Sequence, residues 1–199
     1  DVYKRQAETG AELRFLDRDT DWRGVARGRE GVAITTADGL EVRSPLLGPH
    51  QCANLAVAVA VARLLGTDGA AIVSGAAAVR WPGRLQWIDS SPPLLLDAAH
   101  NLAGMQALVE ALPAVSEGRR IVAVVGILAD KQAAEMLRML DAHVDDIVAT
   151  SGATERSRPA EEIATLAGRG IAVDGAGAAL DEARQRAGHD GLVLVCGSL

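Results

Sequence analysis

LLLDAAHN (Leu94–Asn101) is an apolar run that ends at an aspartate and leads into a helix beginning at an asparagine. Beyond it, short apolar runs typical of buried strands alternate with longer helical stretches. The predicted strands are Leu94–Leu96, Ile121–Val125, Ile147–Ala149, Ile171–Val173 and Leu192–Val195. The predicted helices between them are Leu102–Leu112, Ala133–Ala142, Ala160–Ala167 and Ala179–Ala187. Repeated strand–helix units predict an α/β fold, a Rossmann-like sandwich whose mostly parallel sheet carries helices on its faces.

The part of the chain before this alternation has a different pattern. Between residues 11 and 47, three short segments separated by Gly and Asp predict antiparallel strands: Glu12–Leu16, Gly31–Thr36 and Leu40–Arg43. The stretch Gln51–Leu65 is almost continuously apolar and predicts a helix buried on all sides, followed by a second helix at Ala70–Val79. Trp81-Pro82-Gly83-Arg84 interrupts the helical pattern, so we expect two domains, residues 1–83 and 84–199.

Composition narrows the class of protein. The chain has 199 residues, 49% of them hydrophobic, which is enough to build a core. Its net charge is -6 with scattered arginines, which argues against a nucleic-acid surface. The cysteines Cys52 and Cys196 have no metal-type spacing, and we expect a reducing, cytoplasmic environment. The longest apolar run, Leu55–Ala62, is far shorter than the ~20 residues that a membrane helix needs.

Two motifs flank the predicted domain boundary. In Gly48-Pro-His-Gln-Cys-Ala-Asn54 the asparagine offers a donor and an acceptor side by side, which match an adenine edge. The alternative is that Asn54 bonds the local backbone near a helix start. In Trp81-Pro-Gly-Arg84 a rigid turn presents an arginine whose planar fork can hold a phosphate. The alternative for Arg84 is an ordinary linker residue.

The run Leu94–Asn101 is itself a candidate site, because ligands of parallel sheets meet the carboxyl ends of strands. Asp97 would suit ribose hydroxyls, and His100 would suit a position near phosphate. No catalytic residue is assigned, although His100 is the candidate. The alternative interpretation is structural: Asn101 caps the following helix, and Asp97 accepts hydrogen bonds from loop amides.

A fourth cluster combines Asp130-Lys131, beyond the strand Ile121–Val125, with Gly197-Ser198 beyond the last strand. The only lysines are Lys4 and Lys131 among 20 basic residues. This rarity favours a site that needs a compact ammonium group. A carboxylate substrate could use both Lys131 and the Ser198 hydroxyl. The alternative is a solvated lysine at a helix start.

The order HQxxN, WPGR, LDxAHN, DK and GSL resembles one family, the folylpolyglutamate synthase/dihydrofolate synthase branch of the Mur ligase superfamily, over residues 45–199. The resemblance implies an ATP-dependent ligase that adds L-glutamate to folate or dihydropteroate through an acyl phosphate, with Mg²⁺. It implies that Asn54 contacts adenine, Arg84 the phosphates and Asp97 the ribose, with His100 on the nucleotide side. Lys131 and Ser198, with the neighbouring Asp130, match positions that hold the carboxylate of the incoming amino acid.

The same resemblance implies that residues 1–83 end the central ATPase domain and that 84–199 form the Rossmann-like C-terminal domain. No GxxxxGK[ST] string occurs; Ala98 or Ala99 stands where the family usually has Gly, and Leu102 stands where it has Pro. We therefore expect a C-terminal fragment that is inactive alone, with its metal ligands upstream, from a monomeric enzyme. The first six residues match no family pattern. The alternatives are another Mur-type amino-acid ligase and a non-catalytic nucleotide-binding domain; the acceptor stays open.

Overall fold

The computed structural model describes residues 8–10, 12–152 and 154–197, which contain two sheets with helices packed against them. The first sheet is antiparallel, with strands β1 (Trp22–Ala26), β2 (Val32–Thr36) and β3 (Glu41–Ser44). A short 3-10 helix, Gly28–Glu30, joins β1 to β2, and the helices α1 (His50–Leu64) and α2 (Gly69–Ala78) follow β3. Apolar residues of this sheet and of both helices form one core cluster.

The second sheet has six strands in the order β4-β5-β9-β6-β7-β8. Its strands are β4 (Gln86–Ile88), β5 (Leu94–Asp97), β6 (Ile121–Gly126), β7 (Asp146–Ala149), β8 (Ile171–Ala172) and β9 (Leu192–Gly197). Its helices are α3 (Leu102–Ser116), α4 (Ala133–Asp141), α5 (Ala160–Ala167) and α6 (Ala176–Ala187). Only the pairing of β4 with β5 is antiparallel among these strands, which confirms the predicted mostly parallel α/β fold.

Strand β6 shows how the layers form. All six of its residues are buried, as expected of a central parallel strand covered on both faces. Ile121, Ala123 and Val125 belong to the core cluster shared with α3, α4 and α5. Val122 and Val124 belong to the cluster that includes α6. The two-residue alternation of the strand therefore separates three helices on one face from α6 on the other.

Some predicted strands are wrong. Glu12–Leu16 forms no strand, whereas Trp22–Ala26, which was not predicted, is β1. Trp22 is the only buried residue of β1, so the strand lacks the clear alternation of apolar and polar residues that would mark it in the sequence. The antiparallel edge strand β4 was also not predicted. Helix α6 begins at Ala176, three residues before the start of the predicted helix Ala179–Ala187.

The prediction that the apolar helix α1 is buried on all sides is also wrong. Val57, Val61 and Leu64 are exposed by 53%, 49% and 62%. Only the face that carries Leu55 and Val59 packs against the three-stranded sheet. Within the described ranges, no helix is long and apolar enough to cross a membrane. An apolar helix of this kind therefore leaves a hydrophobic surface on the outside of the molecule.

The two sheets are tied together by Arg29 of the 3-10 helix. Its guanidinium lies over the ring of Trp87, 4.5 Å from the centroid, and its Nε donates to Glu117 Oε1 over 3.0 Å. Trp87 lies in β4, and Glu117 is the C-cap residue that follows α3. Cation–π contacts and exposed ion pairs each contribute up to about 1 kcal/mol. This contact supplements the chain connection between the sheets, but the predicted domain boundary at residue 83 stays a prediction.

Replacement of Gly197 by alanine should destabilise the fold. Gly197 has φ of 104°, and a Cβ there would collide with the carbonyl oxygen of Gly126 on the adjacent strand. We expect Gly197→Ala to lower the free energy of unfolding in urea by about 2 kcal/mol or more. The control is Gly177→Ala in α6, where a Cβ meets nothing within 4 Å. That change should be neutral or stabilising by up to about 1 kcal/mol; equal losses in both variants would contradict the role given to Gly197.

Candidate functional site

Arg84 is carried by a turn that is held on both sides by the end of β5. Before it, the Gly83 carbonyl oxygen accepts a hydrogen bond of 2.8 Å from Ala98 N. After it, Leu85 N donates to Asp97 Oδ2, also over 2.8 Å. Leu85 has a positive φ of 44° and is only 1% exposed. The structure thus brings together Arg84 and Asp97, two residues that were predicted from separate motifs.

The Asp97 carboxylate faces backbone N–H groups of the protein. It accepts hydrogen bonds from the N–H groups of Leu85 and Ala99. Burial raises the pKa of Asp97, and the two amides together with the charges of Arg84 and His50 oppose part of that rise. The structural interpretation of Asp97, as an acceptor for loop amides, is therefore confirmed. It does not exclude a further contact, because a carboxylate has about four acceptor positions.

The start of α1 places three polar side chains in a chain of contacts. Asn54 Nδ2 donates to Gln51 Oε1 over 3.0 Å, and Gln51 Nε2 lies 3.1 Å from His50 Nε2. Since an amide nitrogen only donates, His50 Nε2 accepts and the proton of a neutral ring sits on Nδ1. Burial lowers the pKa of His50, which favours that neutral ring. The Asn54 side chain bonds another side chain here and not the local backbone.

Asn54 and Arg84 line the same groove. This groove has a volume of about 750 Å³ and runs between α1 and α2, with His50 also on its wall. Most of its remaining lining is apolar; examples are Leu55, Val59, Ile72 and Val79. His50 Nδ1 is buried and has no hydrogen-bond partner among the described residues. An apolar groove with a few convergent polar groups is the usual form of a small-molecule site.

His100 and Asn101 occupy the loop that follows β5. His100 is exposed, and its Nδ1 lies 2.9 Å from the carbonyl oxygen of Ala98. Asn101 Oδ1 accepts from Gly104 N over 2.8 Å and so caps α3, as the structural alternative predicted. His100 therefore contacts Ala98, the residue whose N–H binds Gly83, and its side chain is exposed to solvent.

Lys131 lies at a second position, beyond the end of β6. The order β5-β9-β6 separates this strand from the one that carries Asp97. Lys131 Nζ donates to Asp130 Oδ2 over 2.9 Å, and the other oxygen of Asp130 accepts from Arg156 over 3.3 Å. Lys131 and Arg156 are thus two cations held by one carboxylate. The pKa of Asp130 is lowered mainly by its bond from Lys131.

Arg156 was missed by the sequence analysis, which treated the arginines as scattered. The loops after β6 and β7 pair through their backbones: Ala129 N donates to the Arg156 carbonyl oxygen, and Arg158 N donates to that of Ile127. This pairing brings Arg156 to Asp130 although 26 residues separate them. One signal was available, since the arginine pair 156 and 158 follows the predicted strand Ile147–Ala149 at the edge where ligands bind.

The remaining candidate of this cluster, Ser198, lies outside the described residues. Its neighbour Gly197 ends β9 beside Gly126 of β6, at the same edge of the sheet as Lys131. Thr150, which follows β7, is fully buried, and its hydroxyl has no partner within the described part of the chain. In that same part, no group of three or more His, Cys, Asp or Glu side chains is arranged to hold a metal ion.

The chain is similar to known ligases along most of its length. The family model for the glutamate ligase domain of Mur ligases matches residues 83–199. The dihydrofolate synthase/folylpolyglutamate synthase of Escherichia coli K12 is 33% identical over 190 residues, which are 95% of this chain and 43% of the relative.

Two solved structures share the fold. E. coli FolC in complex with DHPP and ADP has a TM-score of 0.83 and 31% identity, covering 99% of this chain and 47% of the solved one. A bifunctional folylpolyglutamate synthase/dihydrofolate synthase with Mn, AMPPNP and L-glutamate bound has a TM-score of 0.77 and 30% identity, with the same coverage. The chain thus spans less than half the length of each of these relatives.

The raised pKa of Asp97 predicts how its neutral replacement changes the pH dependence of stability. A carboxyl whose pKa is raised on folding stabilises the fold while protonated, and this contribution is lost as pH rises from about 3.9 through the raised pKa. The stability of the wild type relative to Asp97→Asn should therefore fall as pH rises through that window. Unfolding in urea across a pH series measures it.

Asp130→Asn is the control of opposite sign. Because the pKa of Asp130 is lowered on folding, the wild type should gain stability relative to this variant as pH rises to about 3.9. A stability difference that rises with pH for Asp97→Asn as well would contradict the burial argument.

Proposed function

The chain belongs to the Mur ligase family, and from this premise we propose that the whole protein is an ATP-dependent ligase that joins L-glutamate to folate or dihydropteroate. In such a reaction ATP phosphorylates the acceptor carboxylate and leaves as ADP. The glutamate amine then attacks the acyl phosphate, so that an amide forms and phosphate departs. Catalysis of this kind depends on positioning and on neutralising negative charge.

The observation that carries the proposal is the convergence of Asn54 and Arg84 on one groove. They are 30 positions apart in the sequence, and both line this groove; Leu85, next to Arg84, lies close to His50 at the start of α1. The groove is thus lined by a neutral amide and by a guanidinium. A nucleotide has the same two ends, a flat base with hydrogen-bonding edges and a charged phosphate chain.

On the nucleotide side, the Asn54 amide would bind the adenine edge. Its bond to Gln51 fixes the orientation of the amide and leaves Oδ1 and one N–H free to face the groove. Arg84 would meet the phosphates with its planar fork. His100, in the loop that follows β5, would stand on the nucleotide side. The resemblance gives Asp97 to the ribose, and its bond to Leu85 N also places it beside the Arg84 turn.

On the amino-acid side, Lys131 and Arg156 would bind the carboxylates of glutamate. Asp130 keeps both cations at the edge of the sheet by accepting a hydrogen bond from each. Ser198 would add a hydroxyl from the end of β9. One of the similar solved structures contains L-glutamate, which supports this substrate for the proposed site.

The exposed face of α1 supports the proposed division of the chain. Val57, Val61 and Leu64 form an apolar strip of a kind that a larger domain would cover. We propose that residues 1–83 end a central ATP-binding domain and that residues 84–199 form the glutamate ligase domain. The buried free thiols Cys52 and Cys196 suit a cytoplasmic enzyme, which we propose to be monomeric.

A divalent metal enters the proposal only through the relatives, one of which binds Mn with AMPPNP. The described residues do not fit a Mg²⁺ site, because they contain no cluster of acidic ligands. No step of the mechanism is therefore assigned to a metal held by this part of the chain.

The function is tested by mass spectrometry of products formed by the whole protein. It receives ATP, Mg²⁺ and L-glutamate with either dihydropteroate or a reduced folate. We expect a product heavier by one glutamyl group, formed only when ATP is present, and the acceptor that yields it names the substrate. If neither acceptor is extended while a muramyl peptide precursor gains an amino acid, the protein is another Mur-type ligase. Nucleotide binding without any ligation would indicate a binding domain.

Loss of either cation at the Asp130 cluster should weaken glutamate binding selectively. Each charge-assisted hydrogen bond contributes about 1.5–3 kcal/mol. Lys131→Ala and Arg156→Ala should therefore each raise KM for glutamate roughly 10- to 100-fold and leave KM for ATP nearly unchanged. The matched control is Arg138→Ala, an exposed arginine of α4 paired with Glu135. A larger effect on ATP than on glutamate would exclude the assigned role.

A further inference from the structure

Two hydrogen bonds join the turn that carries Arg84 to the end of β5. One is made by the residue before Arg84 and the other by the residue after it. Ala98 N binds the carbonyl oxygen of Gly83, and Asp97 Oδ2 accepts from Leu85 N. A third bond, from Gly83 N to Gln86 Oε1, closes the turn internally. The guanidinium itself is exposed, so its direction depends on how firmly this backbone is held.

We propose that Asp97 is a positioning residue: its carboxylate fixes the direction of Arg84 by binding the backbone N–H of Leu85. The resemblance assigns Asp97 to ribose, whereas the geometry points to an action through the turn. The part of the proposal that concerns ATP rests on the function proposed above. The part that concerns the turn does not.

The conformation of Leu85 explains why the turn needs a partner. A residue with a Cβ at positive φ costs about 1–2 kcal/mol, and Leu85 has φ of 44°. A turn that relaxed to negative φ would redirect the N–H of Leu85 and the side chain of the preceding arginine. The hydrogen bond to Asp97 opposes this relaxation, because it holds the N–H of Leu85 in its present direction.

The packing of the Leu85 side chain fixes the position of the turn in the molecule. Its side chain belongs to the core cluster of the six-stranded sheet, and its Cδ1 lies 2.7 Å from the position that a Cβ of Gly48 would take. The ring of His50 lies equally close to that position. Asp97 therefore holds Leu85, and Leu85 in turn sets Arg84 beside the first residue of α1 and the groove of Asn54.

The direction of the carboxylate favours positioning over ribose binding. Its two backbone bonds come from Leu85 of the turn and from Ala99 of its own loop, so that acceptor positions of the carboxylate are already used within the protein. The side chain is only partly exposed, in contrast to His100. A ribose contact and a positioning contact also predict different behaviour towards nucleotides that lack one hydroxyl, which makes the two roles separable.

The first test needs no nucleotide. Amide hydrogen exchange, followed by NMR, reports the protection of the Leu85 N–H in this chain. Asp97→Asn keeps a carbonyl oxygen that can accept the bond, so protection should stay within about threefold of wild type. Asp97→Ala removes the acceptor and should speed exchange at Leu85 at least about tenfold. Unchanged protection in Asp97→Ala would overturn the proposal.

Asp145→Ala is the matched control for this arm. Asp145 Oδ2 also accepts a backbone hydrogen bond, from Ile121 N over 2.7 Å, at another place in the sheet. Its loss should leave Leu85 protected. If Asp145→Ala speeds exchange at Leu85 as much as Asp97→Ala does, the effect is a general loss of stability. That result would overturn the specific role of Asp97.

The second test uses the whole protein with ATP, 2′-deoxy-ATP and 3′-deoxy-ATP. If Asp97 acts through Arg84, Asp97→Ala should raise KM for all three nucleotides by the same factor, and Asp97→Asn should restore it to within about threefold of wild type. The double variant Asp97→Ala with Arg84→Ala should be no worse than Arg84→Ala alone. Selective loss of discrimination against a deoxynucleotide, with additive effects, would show a ribose contact and overturn the proposal.

The two arms fail in different ways. If the whole protein shows no ATP-dependent ligation, the proposed function fails while the exchange data still decide the hold on Leu85. If Asp97→Ala does not fold, as judged by circular dichroism, Asp97→Asn decides. Retained protection of Leu85 with a near-normal KM for ATP supports positioning, and retained protection with a lost ATP affinity overturns it.

Discussion

The pairing of β9 with both β5 and β6 is the constraint on which both parts of the site depend. Cys196 of β9 is in register with Asp97 on one side and with Val125 on the other. The ends of β5 and β6 are therefore level, and the loops that carry Asp97 and Lys131 leave the sheet at the same edge. Since β9 is the last of the six strands of this sheet in the sequence, Cys196 pairs with residues 99 and 71 positions before it. A strand buried on both faces gives that register little freedom to slip.

The parts of the fold that could be predicted are those with local signals. Strands such as β6 are continuous apolar runs, and the helices between them have the length and period that mark a βα alternation. The first sheet was predicted less well, because β1 buries no residue besides Trp22 and has no run of apolar residues that would mark it. The burial of α1 could not be predicted at all from its own residues. An apolar helix is buried only on the faces that something covers, and the sequence of the helix does not contain that information.

The site shows the same division. Asn54, Arg84 and Asp97 were predicted from short sequence motifs. Arg156, in contrast, comes close to Lys131 because backbone hydrogen bonds pair the two loops that carry them. Such bonds do not depend on residue type and leave no pattern in the sequence. The structural and the functional interpretation of Asp97 are also not separate. Its bond to Leu85 is structural in form, yet it is made to the residue after Arg84, so a structural contact and a functional consequence coincide.

The choice of leucine at position 85 clarifies why the turn is strained. A glycine there would adopt positive φ without the cost of about 1–2 kcal/mol that leucine carries. Burial of a leucine side chain contributes about 1.5–3 kcal/mol, and Leu85 is only 1% exposed, so its burial offsets a strain of this size. Glycine would leave the turn attached to β5 alone. With leucine, the same residue binds Asp97 through its backbone and packs beside Gly48 through its side chain, so that the six-stranded sheet and the start of α1 hold Arg84 from two directions.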